Sequence, residues 1–386
     1  MTAHVPHLNQ RVLTVFLLVS LPALIVGTAL VLRIGQGRLG DSYGRHLQDV
    51  AQQAAAGIDA YVYRRILDVS LLARTPDLRS QATAGSARPF DRAAAEAVDR
   101  EWQQGAKPPR VVEESLGNAA SRYLKDLVVH DHIYREMILT DRQGRLVAAS
   151  NPTTDYFQGD EDWWIAAVDD GRQGRVSISD VRWDPSARVY ALEISAPVPT
   201  SSDESLAGVL KVVTDSRELL ALVGNLQPGQ SGSAWLLRRN GTIVFNRQTA
   251  NPNARFFASD ILQTHTDALR ESGPIGGTHF SARAADGTKQ IVAVAESQLG
   301  ASYPSLPWLV AVSQGESELV APLSMLGWYL LALVAFTALI VLGLALWFSV
   351  RLAATPVDVD MHLVRHPQVS HVGELAQEPP AETVRM

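Results

Sequence analysis

Two uncharged apolar runs frame the chain and limit what the residues between them can be. Val12–Leu32 spans 21 residues between Arg11 and Arg33, and Leu326–Val350 spans 25 before Arg351. As helices, either is long enough to cross a hydrocarbon layer of roughly 30 Å. The first run contains Pro22, which a membrane helix tolerates. It exceeds the roughly 7–15 residues of a signal-peptide core and has no A-x-A site after it, so it reads as an uncleaved span. The second is bordered by Trp328-Tyr329 and Trp347-Phe348, the placing of an interfacial aromatic belt. Glu316 and Glu318 precede it and Arg351 follows, which puts its C-terminal end in the cytoplasm. Arg33 and Arg38 oppose that rule at the first span, so the second span sets the orientation. The expected layout is a cytoplasmic leader (1–11), a span (12–33), a large outer domain (34–325), a second span (326–350) and a cytoplasmic tail (351–386).

Composition closes off several function classes. The formal charge is −6, and nucleic acid needs a basic face. There is no cysteine, which excludes disulfides, thiolate zinc sites and cysteine nucleophiles. H-E-x-x-H, Walker and G-x-S-x-G patterns are absent. Gly229-Gln230-Ser231-Gly232-Ser233 reads as a turn into a strand. His130-Asp131-His132 lacks a third metal ligand. The chain is therefore expected to be no enzyme and to hold no metal or cofactor. The tail is polar and punctuated by proline, and about 35 residues are hard to stabilise alone, so no output domain is expected there.

Between the spans the pattern changes twice. Leu39, Tyr43, Leu47, Val50, Ala54, Ile58 and Tyr61 recur at helical spacing, and Ile66, Val69 and Leu72 extend the stripe toward Pro76. This predicts a long helix over 36–75. Part of it packs on a core, and its membrane-near part pairs with a second copy through a heptad-like stripe. Residues 79–126 are helix-rich. From Ile133 the texture turns to β. Met137–Thr140 and Leu146–Ala149 flank Asp141-Arg142-Gln143-Gly144. A short helix over 160–168 follows, then strands at Val176–Ser179, Val189–Pro197 and Leu206–Thr214 and a helix at Glu218–Val223. A second block repeats the order. Ala234–Leu237 and Thr242–Phe245 flank Asn240-Gly241. A helix is expected over Ala254–Arg270. Strands follow at Thr278–Arg283 and Gln290–Ala295 around Asp286-Gly287, and then at Trp308–Val312.

One stretch stands out within the first β block. Asp155–Trp164, DYFQGDEDWW, interleaves aromatic residues with four carboxylates. Trp163 and Trp164 can wall a pocket or hold a cation, although neighbours on a helix cannot both face the same way. Tyr156 can orient a ligand through its phenol. Asp160 and Glu161, with Asp162, suit either a pocket or a helix N-terminus. Trp183, Asp184 and Tyr190 lie in or beside the strands that would complete such a pocket. An acidic, aromatic pocket favours an amine or another cation.

The ordered set over roughly 42–322 resembles a double Cache ectodomain, the periplasmic sensor of bacterial chemoreceptors, histidine kinases and cyclases. The long helix, the D-R-Q-G turn, the D-Y…W-W run and Gly208-Val209-Leu210 leading to Leu219 carry the first half of the likeness. Gly229-Gln230-Ser231-Gly232 and Trp308–Val312 with Ser313–Glu318 carry the second. The resemblance implies an α+β fold, with a long N-terminal helix and two PAS-like antiparallel-sheet modules (77–225 and 226–320) between two transmembrane helices. It also implies a bacterial inner-membrane location and a small-molecule ligand in the membrane-distal module. Amino-acid-binding members carry an Arg-x-Trp-Tyr run whose arginine holds the ligand carboxylate. Here the run is Glu161-Asp162-Trp163-Trp164, with a glutamate in the arginine's place. Val213 stands where those members place a later aspartate, and Asp215 follows two residues on. Both departures argue against a standard amino-acid ligand. Arg351-Leu352 and Pro356 resemble the entry to a HAMP linker, but the spacing is too short for the whole. The expected function is a homodimeric, membrane-anchored small-molecule sensor that passes ligand binding to a separate kinase, chemoreceptor or cyclase. The alternatives are a membrane interaction scaffold and a truncated receptor.

Overall fold

The structure, a computed structural model, describes residues 10–105, 107–168, 173–184, 188–248, 254–262 and 277–354. It divides into two compact units: residues 1–29 with 329–386, and residues 30–328. The first expected span and the long helix are one element, α1 (Gln10–Leu72), of 63 residues. At 1.5 Å per residue it is about 95 Å long. Within it Leu18–Val31 is an apolar stretch, shorter than a full span among the described residues. The last helix, α9 (Glu316–Ala354), contains Gly327–Trp347. With 21 residues and a mean hydropathy of 2.6, this is the one described helical segment long and apolar enough to cross a membrane.

The stripe on α1 packs on a core, as expected for part of it. Leu47, Ala54 and Ile58 lie in the chain's own core with Ala51, Val62, Ile66, Val69 and Ala73. Tyr43, Val50 and Tyr61 pack against that core. Two sheets need one apolar face each covered, and a single long helix covers both. The same core takes in Met137, Leu192 and Leu210 from one sheet and Leu236, Ala293 and Val310 from the other. Exposed Tyr63, Leu67 and Leu71 are on the helix's outer side.

Four helices fill the predicted helical region: α2 (Pro76–Ser86), α3 (Arg92–Gln104), α4 (Arg110–Gly117) and α5 (Ala119–His130). Asp91 and Asn118 cap α3 and α5 by accepting from the backbone N–H of Ala93 and Ser121. The first sheet has the order β2-β1-β6-β5-β3, with β4 paired to β5. Its strands are β1 (Tyr134–Asp141), β2 (Leu146–Ala149), β3 (Ser177–Ile178), β4 (Arg182–Asp184), β5 (Val189–Pro199) and β6 (Leu206–Asp215). The short helix α6 (Asp162–Val168) packs on β3, β5 and β6. After β6 comes α7 (Arg217–Gly224).

The second sheet has the order β8-β7-β11-β10-β9. Its strands are β7 (Ser233–Arg238), β8 (Ile243–Asn246), β9 (Gly277–Arg283), β10 (Lys289–Glu296) and β11 (Trp308–Gly315), with a four-residue helix α8 (Leu299–Ser302) before the last. The helix expected over Ala254–Arg270 is corrected at its start. Residues 254–258 are not helical, and Arg255 bridges to Thr242 instead. Residues 259–262 are helical, and the remainder of that expected helix lies outside the described residues. The strand pattern was otherwise read closely; β4 was missed, being only three residues long.

Candidate functional site

Side chains alternate across a strand, so each residue's parity decides which face it serves. In the first sheet Met137, Leu139, Leu192, Ile194, Leu210 and Val212 join the core that holds α1. The opposite parity puts Glu136, Ile138, Ala191, Glu193, Lys211 and Val213 on the other face. The register brings them together. Val213 lies between Glu136 on β1 and Glu193 on β5, and Lys211 lies between Ile138 and Ser195. Two neighbouring rows thus place Glu136, Lys211 and Glu193 close together on three adjacent central strands.

Over these rows is a cavity of about 390 Å³. Glu136, Ile138, Glu193 and Lys211 form its floor, Pro152–Thr154, Gln158, Glu161 and Trp163 one wall, and Arg182, Trp183 and Asp184 of β4 the other. Among the described residues, four carboxylates and two cations line it. Both cations converge on Glu193: Arg182 Nη2 lies 2.9 Å and Lys211 Nζ 3.5 Å from its Oε2. Lys211 also stands 5.4 Å from the centroid of the Trp163 ring. Glu136 has no ion pair among the described residues. Burial pushes its carboxyl above the usual range; Lys211 opposes this, while Asp184 and Glu193 add to it.

The structure divides the expected site residues. Glu161, Trp163, Trp183 and Asp184 line the cavity. Tyr156, Asp160, Trp164 and Tyr190 do not. Tyr156 is buried in the small core behind the wall, with its backbone N–H donating to Asp99. Asp160 is exposed on the rim. Trp164 turns the other way on α6 and donates its indole N–H to Thr140 Oγ1 at 3.1 Å. Tyr190 supports Trp183 from behind, edge to face, with ring centroids 5.4 Å apart. Asp215, the nearest acid to the family's aspartate position, points elsewhere: Arg135 Nη2 and Arg217 Nε hold it at 2.6 and 2.8 Å. Burial alone would raise its carboxyl, yet those hydrogen bonds keep it below the usual range.

Sequence reasoning missed Glu136, Glu193, Lys211 and Arg182. For two of them the signal was present: Glu193 and Lys211 each stand inside an apolar run on β5 and β6, and an interior strand charge needs a partner or a ligand.

The wall loop is held from behind. Gly144 has φ +87°, and a Cβ there would come 2.3 Å from the Gly159 Cα, so only glycine allows the D-R-Q-G turn to lie against the loop. Gln158 N donates to Gly144 O at 2.7 Å across that contact. On the loop, half-buried Asp155 is raised to about 6, first by burial and then by Asp99, Glu161 and Asp160. A raised carboxyl adds stability that is complete below its unfolded value and is lost as pH rises through about 6. Asp155→Asn should therefore stabilise the chain at pH 7.5 by about 1 kcal/mol, allowing for solvent screening, and by nothing at pH 4. Thermal melts at the two pH values check this.

The second sheet's corresponding face is packed instead by Trp235, Phe256 and Leu262 with Val292 and Val294. A larger, more open hollow of about 570 Å³ lies at that module's edge, beside β9, Lys289 and Glu316. It is lined by Asp260, Arg283, Lys289 and Glu316 among others, with Lys289 3.9 Å from Glu316.

Two sheets share one spine helix, and an acidic, aromatic cavity lies over the first of them. A family model described as Cache domain matches residues 36–323, and the chain belongs to that family. A comparison with curated proteins gave no match. Among solved structures, the chain is similar to the ligand-binding domain of the Pseudomonas aeruginosa PAO1 amino acid chemoreceptor PctB in complex with L-Arg. Identity is 14%, coverage 72% of this chain and 97% of that one, and TM-score 0.44. It is also similar to the ligand-binding domain of the Campylobacter jejuni chemoreceptor Tlp3 in complex with L-norvaline, at 15% identity, 73% and 94% coverage and TM-score 0.46. A third is the ligand-binding domain of the P. aeruginosa PAO1 amino acid chemoreceptor PctC in complex with GABA, at 16% identity, 70% and 100% coverage and TM-score 0.43.

Proposed function

We propose that the chain is a membrane-anchored sensor whose first-module cavity binds a small organic cation outside the cytoplasm. Membership of the Cache family supports the sensor reading. The observation that carries the ligand class is the acidic lining: among the described residues Glu136 and Glu161 line the cavity, while its two cations, Arg182 and Lys211, are both drawn to Glu193. Glu136 and the aromatic walls of Trp163 and Trp183 are then available to an ammonium group. A cavity of about 390 Å³ suits a ligand of metabolite size. Glu161 in place of the arginine of amino-acid-binding members points the same way, because a ligand carboxylate would meet a like charge. The apolar runs in α1 and α9 anchor the module as two spans, and a separate kinase, chemoreceptor or cyclase receives the signal. Core packing takes up the stripe from Leu47 onward, and the membrane-near part of α1 pairs two copies of the chain into a homodimer.

The test is a thermal-shift screen of the full-length chain in lipid nanodiscs with butylamine, butanol and butyrate, which share a tail and differ in the charge of the head. Stabilisation by butylamine alone is expected. Stabilisation by butyrate alone would reverse the ligand class.

A further inference from the structure

We propose that Asp180 is the residue through which the first-module cavity acts on the helix that runs toward the membrane. This rests on the reading of that cavity as the sensing site. The segment between β3 and β4 is tied on one side to the cavity floor. Ser179 N donates to Glu193 O at 2.9 Å, and Ser179 Oγ accepts from Glu193 N at 3.0 Å. Three residues on, Arg182 reaches the carboxylate of the same Glu193. Trp183 and Asp184 follow in the cavity wall.

On its other side the segment is tied to the second sheet. Asp180 Oδ2 accepts from Arg238 Nε at 2.5 Å, and its Oδ1 accepts from Trp308 Nε1 at 2.9 Å. Ser305 Oγ adds a bond to Ile178 O at 2.5 Å. Arg238 and Trp308 are register partners on β7 and β11, so one carboxylate grips a cross-strand pair. Trp308 is fully buried and opens β11.

β11 is the route onward. It lies between β7 and β10, all eight of its residues are buried, and it passes without a break into α9. A strand of this length and burial moves as a rod of about 26 Å. At its far end Ser231 Oγ accepts from Gly315 N at 3.0 Å. In the first turn of α9, Glu318 accepts from Gln230 N at 2.8 Å and Ser231 N at 2.9 Å. The Ser231 hydroxyl donates to it as well, and that bond first, with the two backbone donors after it, holds its carboxyl at about 2. The rod is thus gripped by Asp180 where it starts and by the 229–231 loop where it becomes the helix. A shift of β4 on cavity occupancy reaches Trp308 through Asp180, and β11 delivers it to α9.

The test needs no known ligand. Hydrogen exchange is followed by mass spectrometry over residues 308–318 of the full-length chain in nanodiscs. The cavity is perturbed with Lys211→Met, which removes one of the two cations on Glu193. At least a threefold change in exchange over 308–318 is expected. In an Asp180→Asn background, and separately in Trp308→Phe, which keeps the packing and removes the N–H donor, that change should vanish. Two results would overturn the proposal: an equal change with and without either variant, or no change in the otherwise unaltered chain. Adding butylamine separates the two readings. Failure to bind it, with Lys211→Met still reaching 308–318, removes the ligand class and leaves the coupling. Binding without an exchange response removes the coupling and leaves the site.

Discussion

Arg145→Met is expected to destabilise the chain by about 3 kcal/mol or more, the usual cost of stranding one partner of a buried ion pair. Both side chains are nearly inaccessible, with relative exposures of 9% for Arg145 and 1% for Asp141, and Nε lies 2.6 Å from the Asp141 Oδ2. The guanidinium also donates to Pro89 O and Gly85 O at 2.9 Å and to Arg88 O at 3.2 Å, which fastens the end of α2 and the residues after it to the first hairpin. Asp141 would keep its backbone donors, the N–H groups of Gln143 and Arg145. The expected loss therefore sits near the lower end of the range for buried pairs. Urea unfolding measures it, and Asp141→Asn combined with Arg145→Met should recover part of the loss. A cost below about 0.5 kcal/mol would place the pair among solvent-screened surface bridges and contradict its burial. Beyond stability, this hairpin carries the Gly144 turn against which the cavity wall rests.

Two opposite changes in the cavity are expected to move cation affinity in opposite directions. Glu136→Gln should weaken butylamine binding at least tenfold, since a charge-assisted hydrogen bond contributes about 1.5–3 kcal/mol. Lys211→Met should strengthen it by a similar factor, because Lys211 is the chain's own cation beside Glu193 and Trp163. The pH dependence follows from Glu136, whose raised carboxyl must ionise to hold an ammonium group. Before binding, its contribution to stability is complete below the unfolded value and is lost as pH rises through the raised one. Binding a cation releases that proton, so affinity should fall as pH is lowered through the raised value. Calorimetric titration in buffers of different ionisation enthalpy would read the released proton directly.

The elements were legible where a local rule decides them. Period-2 alternation and turn pairs such as Asn240-Gly241 located β7 and β8 to within a residue or two. The wall of the site was legible because aromatics and acids cluster in DYFQGDEDWW. Its floor was not. Glu136, Glu193 and Lys211 are far apart in sequence, and only the pairing of β1, β6 and β5 in register makes them neighbours. Helical phase settled the two tryptophans, sending Trp163 to the cavity and Trp164 to Thr140. The stripe on α1 was found, but periodicity alone does not say what covers a stripe. Two sheets from the same chain cover its core-packed part.

The proposed selection of a cation by the first-module cavity rests on Glu136. Calorimetric titration of the full-length chain in nanodiscs with butylamine at pH 7.5, beside its Glu136→Gln variant, reads it out. Saturable binding to the unaltered chain is expected, with binding at least tenfold weaker to the variant and none of butyrate to either. Equal butylamine affinity in both proteins, or binding of butyrate alone, would contradict it.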